Sequence, residues 1–163
     1  MFTVFIDGDQ GTTGLRVRER LAGREDITLL SLPEEKRKDL DARAAMARQA
    51  DATILCLPDA ASRELVAALG ESEGVILDAS TAHRTDPRFT YGFPELGAAQ
   101  AQAVRSARRI AVPGCHASGC IALVKPLVDA GLLSSDAPLS LLSLTGYSGG
   151  GTVSYTHLRA HET

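Results

Sequence analysis

Six short apolar segments, separated by stretches of helical periodicity, constrain the fold of this chain more than any other feature. The predicted strands are 3–6, 27–30, 52–57, 74–78, 109–112 and 139–144. The predicted helices between them are 12–21, 41–48, 62–69, 94–106 and 115–130. Strands that are apolar throughout are typical of parallel sheets, because helices cover both of their faces. The sequence therefore predicts an α/β fold with a doubly wound parallel sheet and right-handed crossovers.

A glycine-rich turn follows the first predicted strand directly. Gly8, Gly11 and Gly14 are spaced G-x-x-G-x-x-G, and Thr12 and Thr13 begin the next helix. Glycines in such a turn let the backbone approach a pyrophosphate, and the helix N-terminus supplies N–H donors. A plain glycine turn is the alternative, but the strand–turn–helix context favours a Rossmann-type dinucleotide site.

The end of the second predicted strand bears on the choice between NAD and NADP. An acidic residue there would bind the ribose 2′-hydroxyl of NAD. This chain has Ser31 and then a basic cluster that includes Arg37. A hydroxyl followed by cations suits a 2′-phosphate, so the sequence favours NADPH. Glu34 and Glu35 lie in the same run, and a solvated charged surface is the competing interpretation.

Cys115 follows a Val-Pro-Gly turn between the fifth predicted strand and an apolar helix. Unpaired N–H groups and the helix dipole at such a position favour the thiolate over the thiol. Cys56 and Cys120 instead lie within apolar segments, where a cysteine is usually a small buried hydrophobe. We therefore expect Cys115 to be a nucleophile. A dinucleotide site and a nucleophilic thiol on one sheet indicate redox chemistry on an acyl group.

Composition excludes several other classes of protein. Of the 163 residues, 44% are hydrophobic and 23% charged, which is typical of a globular domain. The net charge of −3 and the 4% of aromatic residues do not favour nucleic-acid binding. We expect no signal peptide, no membrane span and no disulfide framework, and therefore a cytoplasmic protein with reduced thiols.

The chain resembles the N-acetyl-gamma-glutamyl-phosphate reductase family of arginine biosynthesis, particularly its shorter variety. The resemblance spans residues 1–151 and rests on several motifs in the family's order. These motifs are Ile6-Asp7-Gly8 with Gly11-Thr12-Thr13-Gly14-Leu15, Leu77-Asp78-Ala79-Ser80-Thr81-Ala82-His83-Arg84, Tyr91-Gly92-Phe93-Pro94-Glu95-Leu96, Val112-Pro113-Gly114-Cys115 and Gly146-Tyr147-Ser148-Gly149-Gly150-Gly151.

The resemblance implies NADPH-dependent reduction of N-acetyl-gamma-glutamyl phosphate to the semialdehyde, with release of phosphate. Cys115 matches the family's nucleophile, Arg84 and Ser80 become candidate substrate contacts, and Ser148 and Gly149 candidate cofactor contacts. The partners implied are a small acyl phosphate and, for the full-length protein, identical subunits.

Two alternatives stay open at this point. A related enzyme could act on another acyl phosphate, as aspartate-semialdehyde dehydrogenase or a lysine-pathway reductase does. A nucleotide-binding sensor without turnover is the alternative from another class.

The histidines do not yield a mechanism from the sequence. His83 could be a loop hydrogen-bonder, and His116, next to the cysteine, would point elsewhere on a helix. The resemblance places the family's assisting histidine in a second half beyond this chain. No metal site is expected, and the pair His157 and His161 in the tail is given little weight.

Residues 152–163 leave the family's pattern, and from Val153 onward they can be back-translated as a transposase-type sequencing adapter. We therefore expect 1–151 to form the NADP-binding domain with the nucleophile loop and the start of the catalytic domain. The tail is expected to be non-native and the substrate and dimerisation domain truncated, so that the fragment is inactive and exposes apolar surface.

Overall fold

The computed structural model describes residues 1–71 and 74–144, and in this part of the chain six strands form one wholly parallel sheet. The sheet order is β2-β1-β3-β4-β6-β5. The strands are β1 (Phe2–Asp7), β2 (Ile27–Leu30), β3 (Ala52–Leu55), β4 (Val75–Asp78), β5 (Thr90–Tyr91) and β6 (Arg109–Ala111). The doubly wound parallel sheet expected from the apolar pattern is confirmed.

Helices connect most of the strands, and capping residues and glycines mark where some of them begin and end. The helices are α1 (Thr12–Leu21), α2 (Leu40–Gln49), α3 (Asp59–Leu69), α4 (Ala98–Ser106) and α5 (Cys115–Asp129), with short 3-10 turns at Glu34–Lys36 and Pro94–Leu96. The Asp39 carboxylate caps α2 by accepting from the N–H groups of Asp41 and Ala42, at 2.9 and 3.3 Å. Gly131, with φ +68°, ends the α5 segment in the left-handed conformation that glycine tolerates.

The hydrophobic core lies between one face of the sheet and the pair α2–α3. The strand register places Phe5, Leu55, Ile76 and Ala111 on this face, and all are at most 3% exposed. The helices contribute alanines from α2 and larger apolar side chains from α3, namely Ala44, Ala47, Leu65, Val66 and Leu69. Close-packed interiors resist deformation, so this core supports the sheet behind its carboxyl edge.

The predicted sixth strand at 139–144 is wrong. The structure forms no strand over these residues, and Leu142 and Leu144 are each 90% exposed. None of the described strands pairs with this segment, and a strand without a partner is not stable in water. The sixth strand of the sheet is instead β5, whose two residues are too short to show an apolar pattern; it pairs with β6 through Thr90↔Ile110 and Tyr91↔Ala111.

Two helix boundaries also differ from the sequence-based expectation. The helix predicted at 94–106 is interrupted by Gly97, whose φ of +142° separates the 3-10 turn from α4. Helix α3 begins at Asp59, three residues earlier than 62–69, because Pro58 and Asp59 suit a helix start.

Helix α5 differs from the other helices in its packing. It carries no buried residue, and Leu123 is 70% exposed. Within residues 1–71 and 74–144, none of the helices combines the length and apolar character that crossing a membrane would need.

Candidate functional site

The candidate site lies along the carboxyl edge of the parallel sheet. Because all strands point the same way, the loops that follow β1, β2, β4 and β6 emerge at this edge. Open parallel sheets bind ligands here, in the crevice outside the strand ends. The loops carry the glycine turn, the basic cluster, residues 79–84 and the cysteine turn.

The glycine turn after β1 is compact because two positions exclude any side chain. Gly8 has φ +85°, and a Cβ there would lie 2.3 Å from the Cys56 carbonyl oxygen. A Cβ on Gly14 would lie 2.1 Å from the Gly8 carbonyl oxygen. At Gly11, the nearest atom to a Cβ would be the same oxygen at 3.4 Å, which is ordinary contact. Gly8 and Gly14 are therefore required by the fold of the turn, whereas Gly11 has room for a side chain.

The first turn of α1 is open to a ligand. Gly11 precedes the helix and has no side chain to cap it, and this turn carries no acidic residue. Thr12 and Thr13 are exposed. Helix N–H groups without an internal partner form a ready anion site, which is the arrangement that dinucleotide phosphates use.

A cavity of about 190 Å³ adjoins the glycine turn and brings together residues that the sequence selected separately. Ser31 and Arg37 line it on the β2 side, and Gly8 on the β1 side. Its other lining residues are Phe5, Ile6, Asp7, Asp9, Gln10, Leu32 and Leu57. None of the residues that the structure describes forms a hydrogen bond or ion pair with the Arg37 guanidinium. Arg37 is therefore available to a ligand in this cavity.

A buried ion pair supports the floor of the same cavity. Arg43 Nε of α2 donates to Asp7 Oδ2 at 2.8 Å, and each side chain is only 6% exposed. Burial raises the pKa of Asp7 above its ordinary value, although Arg43 opposes the shift. Arg43 Nη2 is also buried and has no hydrogen-bond partner among the described residues. The pair fixes the end of β1, where the glycine turn begins.

Cys115 is exposed and occupies the first position of α5. Gly114 precedes it without a side-chain cap, while the Ser118 N–H donates to the Gly114 carbonyl at 2.9 Å. Cys56 is partly buried, and burial together with the charges of Asp7 and Asp78 raises its pKa to about 11. The two thiols lie at the same edge of the sheet in opposite environments.

The loop after β4 is organised around Asp78, which is fully buried. The Ser80 N–H donates to Asp78 Oδ1 and the Ser80 hydroxyl to Asp78 Oδ2, each at 2.9 Å. The Ser80 hydroxyl also accepts from the Ala82 N–H at 3.1 Å. Nδ1 of His83 lies 2.5 Å from Asp78 Oδ2. The Ser80 hydroxyl, a candidate substrate contact, is thus engaged in holding the loop.

Arg84 joins this loop to the cysteine turn. Its Nε donates to the Val112 carbonyl at 3.2 Å and its Nη2 to the Ala79 carbonyl at 3.4 Å. A Cβ on Gly114 would lie 2.7 Å from Arg84 Nη1, so the guanidinium lies against the residue before Cys115. The structure therefore places Arg84 beside the turn that carries Cys115.

A second contact ties the same loop to the start of α3. The Thr81 N–H donates to Asp59 Oδ1 at 2.9 Å, and the Thr81 hydroxyl donates to Asp59 Oδ2. These hydrogen bonds, together with the charges of Arg63 and Arg84, lower the pKa of Asp59.

Several sequence-based assignments lie outside this geometry. Ser148, Gly149 and the tail 152–163 fall outside the described residues. His116 is exposed, and its Nδ1 contacts the Ser143 hydroxyl. In the part of the chain that the structure describes, no group of three His, Cys, Asp or Glu side chains could hold a metal ion.

Sequence reasoning missed the polar residues that support the site. Asp7 and Asp78 each end an apolar strand, and a carboxylate at such a position was the available signal. Their partners Arg43 and His83 lie 36 and 5 positions away, and nothing in the sequence marks these pairs.

A family model matches this chain over residues 14–104: the NAD-binding domain of semialdehyde dehydrogenases. Among curated proteins, N-acetyl-gamma-glutamyl-phosphate reductase 2 of Pseudomonas putida is 53% identical over 148 residues, which cover 91% of this chain and 47% of the relative. N-acetyl-gamma-glutamyl-phosphate reductase of Burkholderia lata is 53% identical over 149 residues, with coverage of 91% and 47%. The chain therefore spans about half the length of these relatives.

Solved structures with a similar fold include aspartate semialdehyde dehydrogenases. The Francisella tularensis protein gives a TM-score of 0.62 at 18% identity, covering 98% of this chain and 48% of that one. Aspartate semialdehyde dehydrogenase II of Vibrio cholerae, complexed with ASA, gives 0.59 at 21% identity, with coverage of 80% and 47%. At these identities the likeness establishes the fold alone.

Proposed function

This chain belongs to the family of semialdehyde dehydrogenase NAD-binding domains, and from that premise we propose that it is the cofactor-binding and nucleophile-bearing part of an N-acetyl-gamma-glutamyl-phosphate reductase. The carrying observation is that the glycine turn, the Ser31–Arg37 cavity and the Arg84-braced Cys115 turn share one edge of the sheet. The domain extends over 1–151 in this proposal, and 152–163 are foreign to it.

The cofactor in this proposal is NADPH. The family accounts for a nicotinamide cofactor. The open first turn of α1 would receive the pyrophosphate, with Gly11, Thr12 and Thr13 beside it. Arg37 and Ser31 would hold the 2′-phosphate, since the guanidinium has no partner within the described residues and a phosphate supplies one. Ser148 and Gly149 belong to the cofactor site on the strength of the motif alone.

The chemical step begins at Cys115. The Sγ lone pair attacks the acyl carbon of the substrate, the thiol proton passes to a base, and the C–O bond to phosphate breaks with its electron pair. The products of this step are an enzyme thioester and inorganic phosphate. A bound nicotinamide would then supply the hydride that reduces the thioester to the aldehyde and frees the thiolate.

Arg84 would stabilise the negative charge of the substrate. Its guanidinium lies against Gly114, so an acyl phosphate or side-chain carboxylate at Cys115 meets a nearby cation. The Ser80 hydroxyl contributes through the loop that carries Arg84.

Cofactor specificity is tested by measuring the binding of NADPH and NADH to the 163-residue chain by calorimetry. Hydrogen bonds to charged groups contribute roughly 1.5–3 kcal/mol, so Arg37→Gln should weaken NADPH binding about 10-fold to 100-fold and NADH binding little. Lys38→Gln is the matched control, because it removes a neighbouring charge that does not line the cavity. Equal losses for both cofactors would contradict the assignment of the 2′-phosphate site.

The acyl-transfer step is tested by mass spectrometry after exposure to acyl phosphates. We expect N-acetyl-gamma-glutamyl phosphate to acylate Cys115 with release of one phosphate per chain, and Cys115→Ser to abolish both. Beta-aspartyl phosphate should react more slowly. Preferential reaction of beta-aspartyl phosphate would favour an aspartate-semialdehyde dehydrogenase activity, and no acylation by either would favour a non-catalytic sensor.

Turnover requires more than this step, and we propose that the 163 residues alone do not complete it. An NADPH-oxidation assay of the purified chain, run beside the full-length Pseudomonas putida relative, measures the difference. Similar rates would refute this proposal.

A further inference from the structure

We propose that His83 is a positioning residue that acts through Asp78 to hold Arg84 beside the Cys115 turn. The inference deepens the proposed function and rests on the part of it that assigns Arg84 to an anionic substrate. It concerns a buried histidine to which neither the motifs nor the mechanism gives a role.

The position of His83 excludes a direct part in proton transfer with substrate. The residue is 2% exposed. Its ring stacks on Phe89 at a centroid distance of 4.3 Å and an interplanar angle of 10°. A group that donates to or accepts from substrate must come within hydrogen-bond reach of it, directly or through one water. The ring is covered, so its influence on the site passes through the residues that it contacts.

The contact that matters is the one to Asp78. Both oxygens of this fully buried carboxyl group are occupied by the same loop: Oδ1 by the Ser80 N–H, and Oδ2 by the Ser80 hydroxyl and His83 Nδ1. A carboxylate accepts only, so Nδ1 carries the hydrogen in this pair. Asp78 itself is fixed in β4, whose backbone pairs with β3 and β6. His83 therefore anchors the far end of the loop to the rigid sheet.

Arg84 is the next residue and carries the effect to the cysteine turn. Its three guanidinium nitrogens meet the Val112 carbonyl, the Ala79 carbonyl and the backbone at Gly114. The contacts to the two carbonyls are long, at 3.2 and 3.4 Å, so they do not hold the side chain firmly. The direction of the Arg84 side chain thus depends on where its own backbone is placed, and the His83–Asp78 pair sets that placement.

A further tether of the loop acts at another point. Thr81 is bound to Asp59 at the start of α3, three residues before Arg84. The Asp59 carboxylate also interacts electrostatically with Arg84. If the His83 anchor is lost, Arg84 can turn away from Gly114 while Thr81 keeps the loop attached. The expected consequence is a weaker positive field at Cys115 in a folded protein.

The field at Cys115 can be measured without turnover by comparing alkylation with iodoacetate and iodoacetamide. Iodoacetate is an anion and iodoacetamide is neutral, so positive charge near the thiol speeds the first reagent relative to the second. The iodoacetate rate divided by the iodoacetamide rate at Cys115, normalised to the same ratio for N-acetylcysteinamide, therefore reports nearby positive charge. One charge a few ångströms away in water should raise this normalised ratio about fivefold. Arg84→Gln should bring it close to one. Cys115 is followed by peptide mass spectrometry, which separates it from Cys56 and Cys120.

Two variants of His83 test the anchor with matched chemistry. In His83→Asn the amide nitrogen occupies the place of Nδ1 and can still donate to Asp78, so the fivefold ratio should be kept. In His83→Gln the amide lies beyond that place, so the ratio should fall to the value of Arg84→Gln. Phe89→Leu is the control for loosened packing, because it removes the stacked ring and leaves the Nδ1 bond; its ratio should stay high.

Equal ratios in His83→Asn and His83→Gln, whether both high or both low, would overturn the inference. Ser80→Ala provides a second measurement if the glutamine variant does not fold, since it removes another partner of Asp78 and should also lower the ratio; an unchanged ratio would overturn the inference. A wild-type ratio that Arg84→Gln does not change would instead overturn the proposed role of Arg84. The two failures are therefore distinguishable.

Discussion

The glycine turn allows a sharp separation between residues that serve the fold and residues that serve the ligand. Gly14→Ala is the perturbation that tests the fold. Its Cβ would lie 2.1 Å from the Gly8 carbonyl oxygen and 2.8 Å from the Asp9 Cα, and both are backbone atoms. No side-chain rotation can relieve these contacts, so the turn must move by about 1 Å to restore ordinary contact distances.

The expected magnitude follows from two opposing contributions. Overpacking against a rigid backbone costs roughly 3 kcal/mol, at the upper end of the usual range. Gly14 lies inside α1, where replacing glycine by alanine returns about 1 kcal/mol of helix propensity. The net loss in the free energy of unfolding is therefore about 2 kcal/mol, which corresponds to a fall in Tm of about 4–8 °C for a chain of this length.

Gly11→Ala is the matched variant in the same turn. Its backbone, with φ −75°, suits any residue, and the nearest atom to its Cβ lies at 3.4 Å. We expect a change in unfolding free energy of less than about 1 kcal/mol, from the poorer N-cap alone. The new methyl group would add bulk at the residue that precedes the first turn of α1, so NADPH binding should weaken at least about 10-fold if pyrophosphate lies there.

Calorimetric scans without ligand and NADPH titrations of both variants decide between these roles. The reasoning requires Gly14→Ala to lose stability and Gly11→Ala to lose affinity. A Gly11→Ala chain that binds NADPH like the unmodified chain would refute the placement of the cofactor on this turn. A Gly14→Ala chain with unchanged Tm would refute the backbone overlap.

Further predictions concern the buried groups and the apolar helix. Cys56, with a pKa of about 11, should be alkylated at pH 7.5 about 300-fold more slowly than a reference thiol of pKa about 8.5, whereas exposed Cys115 reacts first; in denaturant the difference should vanish. Arg43→Met leaves Asp7 unpaired and should cost about 3–5 kcal/mol in urea unfolding, most of which Asp7→Leu in the same chain restores. Because burial raises the pKa of Asp7, this carboxyl group binds a proton more readily in the folded protein than in the unfolded chain. Its contribution to the free energy of unfolding is therefore favourable at low pH and is lost as pH rises from about 3.8 through the folded pKa. Asp7→Asn should remove this dependence of stability on pH. Leu123→Lys should reduce light scattering with a change in Tm within about 2 °C.

The parts of the fold that sequence reasoning predicted are those with local causes. The turn after β1 needs glycine at Gly14 for a steric reason that acts within a few residues, because a Cβ there would overlap the Gly8 carbonyl oxygen. The helix predicted at 115–130 likewise stops at Gly131, which adopts a positive φ just past α5. The cysteine turn follows the same rule, since a Pro-Gly pair separates β6 from α5. Such signals can be read from one stretch of chain because the interacting atoms belong to that stretch.

The parts that could not be predicted depend on contacts between distant segments. The apolar run at 139–144 has the composition of a strand, but whether it forms one depends on a pairing partner, which the described residues do not provide. The opposite error occurred at Thr90–Tyr91, where pairing with β6 makes a strand from two residues without an apolar pattern. The candidate site shows the same limit: Ser31 and Arg37 were found by their type, whereas the Arg43–Asp7 pair required the packing of α2 on β1.

The two carboxylates that organise this edge also determine which of its thiols can react. Asp7 ends β1 and Asp78 ends β4, the two strands that flank β3 in the sheet, and Cys56 follows β3 between them. Their charges add to burial in raising the pKa of Cys56. The same two carboxylates that fix the glycine turn and the Arg84 loop therefore keep Cys56 in its unreactive thiol form. Cys115 lies beyond β6 and is exposed to solvent, and the guanidinium of Arg84 lies against Gly114, the residue before it. A single arrangement of charges thus braces the site and leaves one of these two cysteines open to an anionic electrophile.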